Sequence, residues 1–267
     1  MFDLTALEAA LAGTIYAGKL HFSAVTGSTN TDALAAARTG APHGSVYLTD
    51  EQTAGRGRGR HGWHSAAGEG LYVSILLRPA MPAARLPLLP LAAGLAAAAA
   101  IHSVTGLSVD LRWPNDLLIG PLKAGGILVE TRTSSEGLAH ALVVGIGINV
   151  HQSTFPQGLS TPATSLDIES CKKVSRQSLL ISLLKSLERE TSALLDPGSA
   201  AAIPRRVRQA STWISGRGVQ VHGPQACIGT TAGLDQHGFL RVRTARGLVT
   251  VQTGGLRAAQ SAPEEIS

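Results

Sequence analysis

Apolar residues recur along this chain with two alternating periods, which predict a mixture of helices and strands. A helical period covers residues 4–15, and another follows the Gly27-Ser28-Thr29-Asn30 turn over residues 31–38. The three polar residues of that turn are all suited to cap the N-terminus of a helix. Extended apolar runs predict strands at residues 20–25, 45–52, 71–77, 109–113, 125–133 and 140–150.

The most apolar segment, residues 86–105, is a candidate for a buried helix. Its middle is alanine, which favours a helix but is only weakly hydrophobic, and Pro87 and Pro90 lie near its start. A buried helix therefore fits this segment better than a membrane span. A further helical period covers residues 178–195 and is expected to end at Pro197-Gly198.

The pattern changes at about Gly216, where short alternating runs separated by glycine-containing turns begin. Their spacing predicts a small all-β barrel of about 45–50 residues. Upstream, the mixture of helices and strands predicts an α/β or α+β domain. We therefore expect a main domain over residues 1–212 and a C-terminal barrel over residues 213–267.

Composition and charge narrow the class of protein. Hydrophobic residues make up 44% of the 267 residues and charged residues 15%, so a buried core is expected rather than a disordered chain. Cys171 and Cys227 stand far apart, which argues against a disulfide framework or a structural zinc site and favours a reducing, cytoplasmic location. The N-terminus lacks the pattern of a signal peptide. The formal net charge of +5 permits an anionic ligand or an acidic partner.

The segment from Gln52 to Trp63 is the densest cluster of chemically informative residues. Its glycines free the backbone to approach a ligand, while Arg56 and Arg58 offer bidentate donors to phosphate or carboxylate. The whole loop, residues 53–70, contains six glycines, and a loop this long inside a domain usually has a function. A nucleotide or acyl-phosphate loop is slightly favoured over an RGG-like nucleic-acid segment or a solvated basic loop.

Two further motifs carry polar residues beside apolar strands. The turn Arg112-Trp113-Pro114-Asn115-Asp116 offers groups that bind a sugar or a metal, although Asn-Asp is also a common turn pair. Lys123 precedes the pair Gly125-Gly126 at the start of a strand, so its ammonium either projects into a cleft or is simply solvated. Asn149 ends a strand in which glycines alternate with isoleucines, a pattern typical of close backbone approach.

In this order, five motifs and a C-terminal barrel resemble the biotin protein ligases: GSTN, EQTAGRGR…W, RWPND, KxGGILVE and GIGINV. The resemblance covers residues 25–257. It implies an α+β fold with a central mixed β-sheet and packed helices, of the class II synthetase-like biotin/lipoate ligase type, plus a C-terminal SH3-like barrel. Only 26 residues precede Gly27, too few for an N-terminal DNA-binding domain. The chain is therefore expected to resemble the form of the family without that domain.

The resemblance also implies a reaction and roles for individual residues. Biotin and MgATP would give biotinyl-5′-AMP and pyrophosphate, and a lysine of a biotin carboxyl carrier protein would then accept the biotin. Lys123, Arg58 and Asp116 would be catalytic, with Asp116 accepting a proton from the incoming lysine. Residues implied in biotin binding are Ser28, Thr29, Asn30, Gln52, Gly55, Arg56, Gly57, Arg58, Lys123 and Gly126. Residues implied in ATP binding are Arg56, Trp63, Asn115, Lys123, Asn149 and Arg257, and no metal ligand is assigned.

Three departures from the family pattern bear on these roles. Arg112 stands where the family commonly has lysine, which keeps the charge. The loop residues 59–62 exchange glycine and arginine relative to the usual order before Trp63. The segment whose arginine reaches ATP is compressed to residues 253–257, so the contact of Arg257 with ATP is left open.

The expected partners are biotin, ATP and the carboxyl carrier domain of acetyl-CoA carboxylase or a related carboxylase. Neither specific DNA nor a membrane is expected, and a homodimer is left open. Lipoate–protein ligase is the enzymatic alternative, but the polar set of Ser28, Thr29, Asn30 and Gln52 suits a ureido head group, which the dithiolane of lipoate lacks. The third hypothesis, a nucleic-acid-binding module, is supported only by the arginine-rich run. Aromatic residues that could stack on bases make up only 4% of the chain.

Overall fold

The computed structural model describes residues 2–59, 61–79, 81–133 and 139–259. Its helices are α1 (Leu4–Ala10), α2 (Thr29–Arg38), α3 (Leu89–Thr105), α4 (Leu166–Ser170), α5 (Arg176–Ala193) and α6 (Pro197–Gln209). Its strands are β1 (Leu20–Thr26), β2 (Ser45–Gln52), β3 (Gly70–Leu77), β4 (Asp110–Arg112), β5 (Asp116–Ile119), β6 (Leu122–Thr133), β7 (Ala139–Asn149), β8 (Ser215–His222), β9 (Cys227–Leu234), β10 (Leu240–Thr244), β11 (Gly247–Val251) and β12 (Gly255–Ala258). The predicted strands of the main domain are confirmed, with small shifts at their ends.

Seven strands form a mixed sheet in the order β1-β2-β3-β7-β6-β5-β4. Strands β1 and β2 are parallel, whereas the other neighbouring strands are antiparallel. On β3, Ile75 belongs to the large core that includes α3 and α5, and Leu76 belongs to a small cluster beneath α2. Helices therefore cover both faces of the sheet, which confirms the predicted α+β class.

Helix α3 lies in the centre of the large core. Its alanines are small enough to let it lie close to both the sheet and α5, and Gly94 approaches Leu111 on β4. One helical stretch of the described residues, Ala83–Thr105, is long and apolar enough to cross a membrane, and 61% of its apolar window is buried inside the protein. This packing confirms the prediction of a buried core helix.

The C-terminal strands form a separate antiparallel sheet in the order β11-β10-β9-β8-β12. Its inner face buries Val219, Val242 and Leu256. Within the described residues β11 and β12 do not pair, so the expected SH3-like barrel is an open five-stranded sheet. Trp113 joins this sheet to the main domain, because its Nε1 donates to the carbonyl of Gly238 at 3.1 Å. The domain boundary between residues 212 and 213 stays a prediction.

One predicted helix boundary is wrong, and one helix was not predicted. The first helix ends at Ala10 rather than at residue 15, and Gly13 adopts a positive φ in the turns that follow. The helix predicted over residues 178–195 does end before Pro197, at Ala193, but Pro197 then takes the first position of a further helix, α6, while Asp196 caps the N–H of Ser199. Proline fits there because an N–H in the first turn has no helical acceptor.

Candidate active site

A cleft of about 910 Å³ lies on the α2 side of the seven-stranded sheet. It is enclosed by the N-terminus of α2, the loop 53–69, the segment 155–163 and the β12 edge of the C-terminal sheet. Predicted site residues in its lining are Ser28, Thr29, Asn30, Gln52, Arg56, Gly57, Arg58, Trp63, Asn115, Asp116, Lys123, Gly126, Asn149 and Arg257. Gly55 does not line the cleft. A Cβ at this position would overlap the carbonyl oxygen of Trp63, so the glycine is needed for the folding of the loop itself.

The centre of the cleft is a strip of sheet without side chains. Gly126 on β6 pairs directly with Gly147 on β7, so both face the same side. A Cβ on Gly147 would lie 2.6 Å from the indole Nε1 of Trp63, and one on Gly145 would overlap Oδ1 of Asn30. The alternating glycines are therefore the positions that let Trp63 and Asn30 lie against the backbone.

A register shift turns Lys123 toward the cleft. Asp116 on β5 pairs with Gly126, and the register then slips by one residue so that Leu118 pairs with Lys123 instead of Ala124. Such a bulge changes which face a side chain occupies. Ala124 is fully buried in the large core, while the ammonium of Lys123 lies 2.5 Å from Oδ1 of Asp116. The bulge thus joins two motifs that are separate in the sequence.

Asp116 is held between two cations. Besides Lys123, Arg112 donates from Nε and Nη2 to Oδ2 of Asp116 at 3.0 and 2.6 Å. Burial alone would raise the pKa of Asp116, but Lys123 and Arg112 together lower it below its ordinary value. The group is therefore a carboxylate at neutral pH and a weak proton acceptor. Its role as a base for the incoming lysine stays a prediction, and the geometry favours the positioning of Lys123.

Arg112 extends this charged chain toward the C-terminal sheet. Its Nη2 also donates to the hydroxyl of Thr161 at 2.7 Å. Its guanidinium lies 5.2 Å from the ring centre of Trp213, and Arg217 lies over the same ring at 3.8 Å. Trp213 is buried and belongs to the segment that leads into the C-terminal sheet. Through its ring, this segment contacts Arg112, which pairs with the carboxylate that orients Lys123.

A network of side-chain hydrogen bonds closes the opposite end of the cleft. Oε1 of Gln52 accepts from the backbone N–H and the hydroxyl of Thr29, at 3.0 and 3.2 Å. The amide nitrogen of Gln52 donates to Ser65 at 2.8 Å, and the hydroxyls of Thr29 and Ser74 lie 2.7 Å apart. These contacts fix the orientation of the Gln52 amide.

The same network continues to the arginine-rich loop. Ser74 donates to Oδ1 of Asn30 at 2.5 Å, and Nδ2 of Asn30 donates to Glu130 at 2.8 Å. Glu130 in turn pairs with Arg56 at 2.7 Å. Donors and acceptors at this end of the cleft are therefore oriented before any ligand arrives.

The long glycine-rich loop has a defined fold of its own. Isolated bridges join Gln52 to Ser65 and Arg56 to Gly62. Arg58 donates to the carbonyl of Gly254 and, at 2.7 Å, to the hydroxyl of Thr253, which connects the loop to the C-terminal sheet. Arg60 lies outside the described residues.

The two predicted asparagines are engaged with backbone groups. Nδ2 of Asn115 donates to the carbonyl of Ile127 at 2.9 Å, and Nδ2 of Asn149 donates to that of Thr164 at 3.0 Å. Both side chains therefore hold the strands and segments that shape the cleft. Arg257 is exposed on β12 at the rim.

Sequence reasoning assigned no role to Ser74, Glu130, Thr161 and Trp213. Glu130 had a usable signal, since Gly126, residue 128 and Glu130 alternate along one strand and so share a face. The contacts of Ser74, Thr161 and Trp213 depend on elements far apart in the chain, and no local pattern marks them.

The sequence of this chain matches a family of known proteins. Residues 22–149 match the biotin/lipoate A/B protein ligase family. The biotin–[acetyl-CoA-carboxylase] ligase of Mycobacterium tuberculosis is 32% identical over 241 residues, which cover 88% of this chain and 87% of that protein. This chain belongs to the biotin protein ligases.

Other ligases extend the agreement from sequence to structure. The bifunctional ligase/repressor BirA of Bacillus spizizenii is 32% identical, over 89% of this chain and 73% of that protein. A biotin protein ligase from Aquifex aeolicus, solved in complex with biotin and ATP, matches with a TM-score of 0.78 and 28% identity, covering 91% of this chain and 100% of that one. The predicted ligase fold is therefore confirmed over nearly the whole chain.

Proposed function

We infer that this chain activates biotin with ATP and transfers it to a protein lysine. First, a carboxylate oxygen of biotin attacks the α-phosphorus of ATP, and the new O–P bond replaces the bond to the departing pyrophosphate. Second, the amine of a lysine attacks the acyl carbon of biotinyl-5′-AMP, so that an amide forms, a proton is lost and AMP leaves. The observation that carries this proposal is the ammonium of Lys123, fixed by Asp116 in the middle of the cleft.

The end of the cleft near α2 is the proposed site for the ureido head of biotin. That head offers one carbonyl acceptor and two N–H donors, and it needs polar partners with a defined orientation. Ser28 is the N-cap residue of α2, yet its side chain makes no capping hydrogen bond, which leaves the hydroxyl for a ligand. Thr29, Asn30 and Gln52 are already oriented by their mutual network. The dithiolane of lipoate offers neither a carbonyl nor N–H groups to these polar side chains, so the lipoate alternative is not favoured.

Lys123 is the proposed electrostatic catalyst of the first step. Two anions, the carboxylate of biotin and the α-phosphate, must approach each other, and negative charge grows on the phosphate oxygens. An ammonium fixed by a carboxylate needs no reorganisation to meet that charge. In this proposal Asp116 and Arg112 position Lys123, and they do not touch the reacting atoms.

The glycine-rich loop and the β12 edge carry the proposed nucleotide-binding groups. Trp63 offers an indole face, and Arg56, Arg58 and Arg257 offer charge to the phosphates. Asn115 and Asn149 would contribute through the backbone that they hold. Gly57 would let the loop approach the ligand closely.

Magnesium would enter as part of MgATP. Within the described residues no three or more His, Cys, Asp or Glu side chains come together as a metal site. Asp116 is already engaged by two cations. Phosphate oxygens and water are therefore expected to supply most of the magnesium ligands.

The proposed acceptor is a lysine of the carboxyl carrier domain of acetyl-CoA carboxylase or a related carboxylase. Cytoplasmic location is proposed because the described structure contains two free cysteines, Cys171 and Cys227. Neither a membrane nor specific DNA is proposed as a partner.

The decisive experiment supplies ATP with radiolabelled biotin or lipoate and separates the products by chromatography. We expect labelled biotinyl-5′-AMP, pyrophosphate release that depends on biotin, and label on a carrier domain added afterwards. Formation of the lipoyl adenylate alone would replace the proposal with the lipoate alternative, and formation of neither adenylate would refute both.

A further inference from the structure

The outward face of the C-terminal sheet presents arginines beside exposed apolar side chains. On β10, Arg243 pairs with Leu248 on one side and Thr230 on the other, and Arg241 pairs with Thr250. Paired residues point to the same side of a sheet. We call the exposed set of Ile228, Thr230, Arg241, Arg243, Leu248 and Thr250 the outer face.

This face is positive, and so is the whole segment that carries it. Residues 213–259 contain five arginines, no lysine and a single acidic residue, Asp235. Asp235 follows the last residue of β9, in the turn to β10, and is not part of the outer face. A positive surface of this kind attracts negatively charged partners and raises their rate of encounter.

Apolar residues on the outer face favour a protein as the partner. Ile228 is 66% exposed and Leu248 is 49% exposed, although both are large aliphatic residues in regular strands. A nucleic acid would gain little from them, since phosphates need charge and bases need aromatic faces to stack on. Arginine next to exposed aliphatic groups is typical of a protein interface.

The outer face is continuous with the opening of the cleft. Ile228 pairs with Gln220 on β8, and Gln220 pairs with Arg257 on β12. Arg257 lines the cleft in which Lys123 lies. A protein seated on the outer face would therefore be next to the place where the adenylate is proposed to form.

We propose that the outer face docks the carrier protein that accepts biotin, through acidic side chains of that protein around an apolar contact. The proposal rests on the proposed function, since it names the surface by which the second substrate is recruited. Docking there lowers the concentration of acceptor needed for transfer. It leaves the formation of biotinyl-5′-AMP untouched.

The test is the double variant Arg241→Glu/Arg243→Glu, compared with Arg205→Glu/Arg208→Glu. The control pair has the same change in charge at exposed positions of α6, which is not part of the outer face. The acceptor probe is a purified biotin carboxyl carrier domain of an acetyl-CoA carboxylase. Hydroxylamine serves as a small acceptor that needs no docking surface.

We expect the KM for the carrier domain to rise about tenfold or more in the outer-face variant at low salt, with a smaller difference at high salt. Biotin-dependent ATP–pyrophosphate exchange and transfer to hydroxylamine should equal those of the wild type. Should the double variant be unfolded by circular dichroism, Arg243→Gln and Ile228→Ser test the charge and the apolar contact separately.

Equal KM values in the outer-face and control variants would overturn the proposal. Loss of binding to mixed-sequence DNA, without a change in KM, would assign the face to nucleic acid instead. Loss of self-association in sedimentation, again without a change in KM, would assign it to a second copy of the chain. If the wild type makes no biotinyl-5′-AMP, the proposed function itself fails, which the exchange assay reveals independently.

Discussion

The floor of the cleft, with Arg112, Asp116 and Lys123 on strands β4–β6, and its roof, the loop 53–69, hold their charged groups in different ways. On the floor, Asp116 is 15% exposed, with Arg112 at 8% and Lys123 at 26%. The ion pair that joins the roof to the sheet is more exposed: the side chain of Arg56 on the loop is 42% exposed and that of Glu130 on β6 is 25% exposed. The charged groups of the floor all belong to paired strands, whereas Arg56 of the roof belongs to a loop.

This difference determines what each side can contribute. Breaking a buried ion pair leaves an uncompensated charge and costs about 3–5 kcal/mol, whereas an exposed pair contributes about 1 kcal/mol or less. The floor is therefore suited to electrostatic catalysis, which needs a fixed charge. The roof is suited to retention of an intermediate, which needs a loop that opens.

The largest effect is expected from Lys123→Ala. The change removes the cation that is proposed to offset the charge growing on the α-phosphate, so adenylate formation should fall by about 10²–10³-fold. Biotin-dependent ATP–pyrophosphate exchange measures this step. Lys185→Ala, an exposed lysine of α5, is the matched control. A folded Lys123→Ala protein with near-normal exchange would contradict the role of the floor.

Asp116→Asn should affect both stability and catalysis. It leaves Lys123 and Arg112 facing each other without a carboxylate, so the free energy of unfolding at pH 7 should fall by about 3–5 kcal/mol. Because the folded pKa of Asp116 lies below its ordinary value of about 3.9, its stabilisation is complete above that pH and is lost as the pH falls through the folded pKa. The free energy of unfolding measured with urea should therefore differ less between pH 7 and pH 3 in the variant than in the wild type.

Supplied biotinyl-5′-AMP separates the two roles of Asp116. If the group positions Lys123, the variant should show slow exchange while transfer from supplied adenylate keeps its normal pH dependence. If the group is a base, transfer should be slow and should recover in part as the pH rises. The first result is expected from the pairing with two cations.

Gly147→Ala tests the contact between floor and roof. The new methyl group would meet the indole of Trp63, so overpacking should cost about 1–3 kcal/mol or displace the loop. Thermal unfolding and the KM for ATP report the two outcomes. Gly198→Ala, at the start of α6 with only ordinary contacts, should leave the KM for ATP unchanged and should not lower the stability. A Gly147→Ala protein identical to the wild type in both would show that Trp63 does not depend on this glycine.

The smallest effect on synthesis is expected from Arg58→Ala. This change breaks the link from the loop to Thr253 and Gly254, so bound biotinyl-5′-AMP should escape several-fold faster while its synthesis changes little. Chromatography of free adenylate measures the leak, and Arg38→Ala at the end of α2 is the control. Lost synthesis with an unchanged leak would place Arg58 in the chemistry of the first step.

The two regions also differ in how far the sequence predicts them. Strand positions and the buried alanine helix follow from local hydrophobic periods, because burial of one face repeats every two or 3.6 residues. The start of α6 was missed because Pro197 reads as a helix end unless its capping residue, Asp196, is recognised. The folding of the glycine-rich loop was missed because glycine has no strong local preference.

Local sequence by itself determined which residue types are available at the site: the ammonium of Lys123, the arginine-rich loop and the glycines of the strands. The tertiary structure decided how they are combined. The bulge between β5 and β6 turns Lys123 onto Asp116, and the meeting of distant segments places Arg112 on Trp213. Strand register and side-chain partners depend on contacts between residues far apart in the chain, and no local period records those contacts.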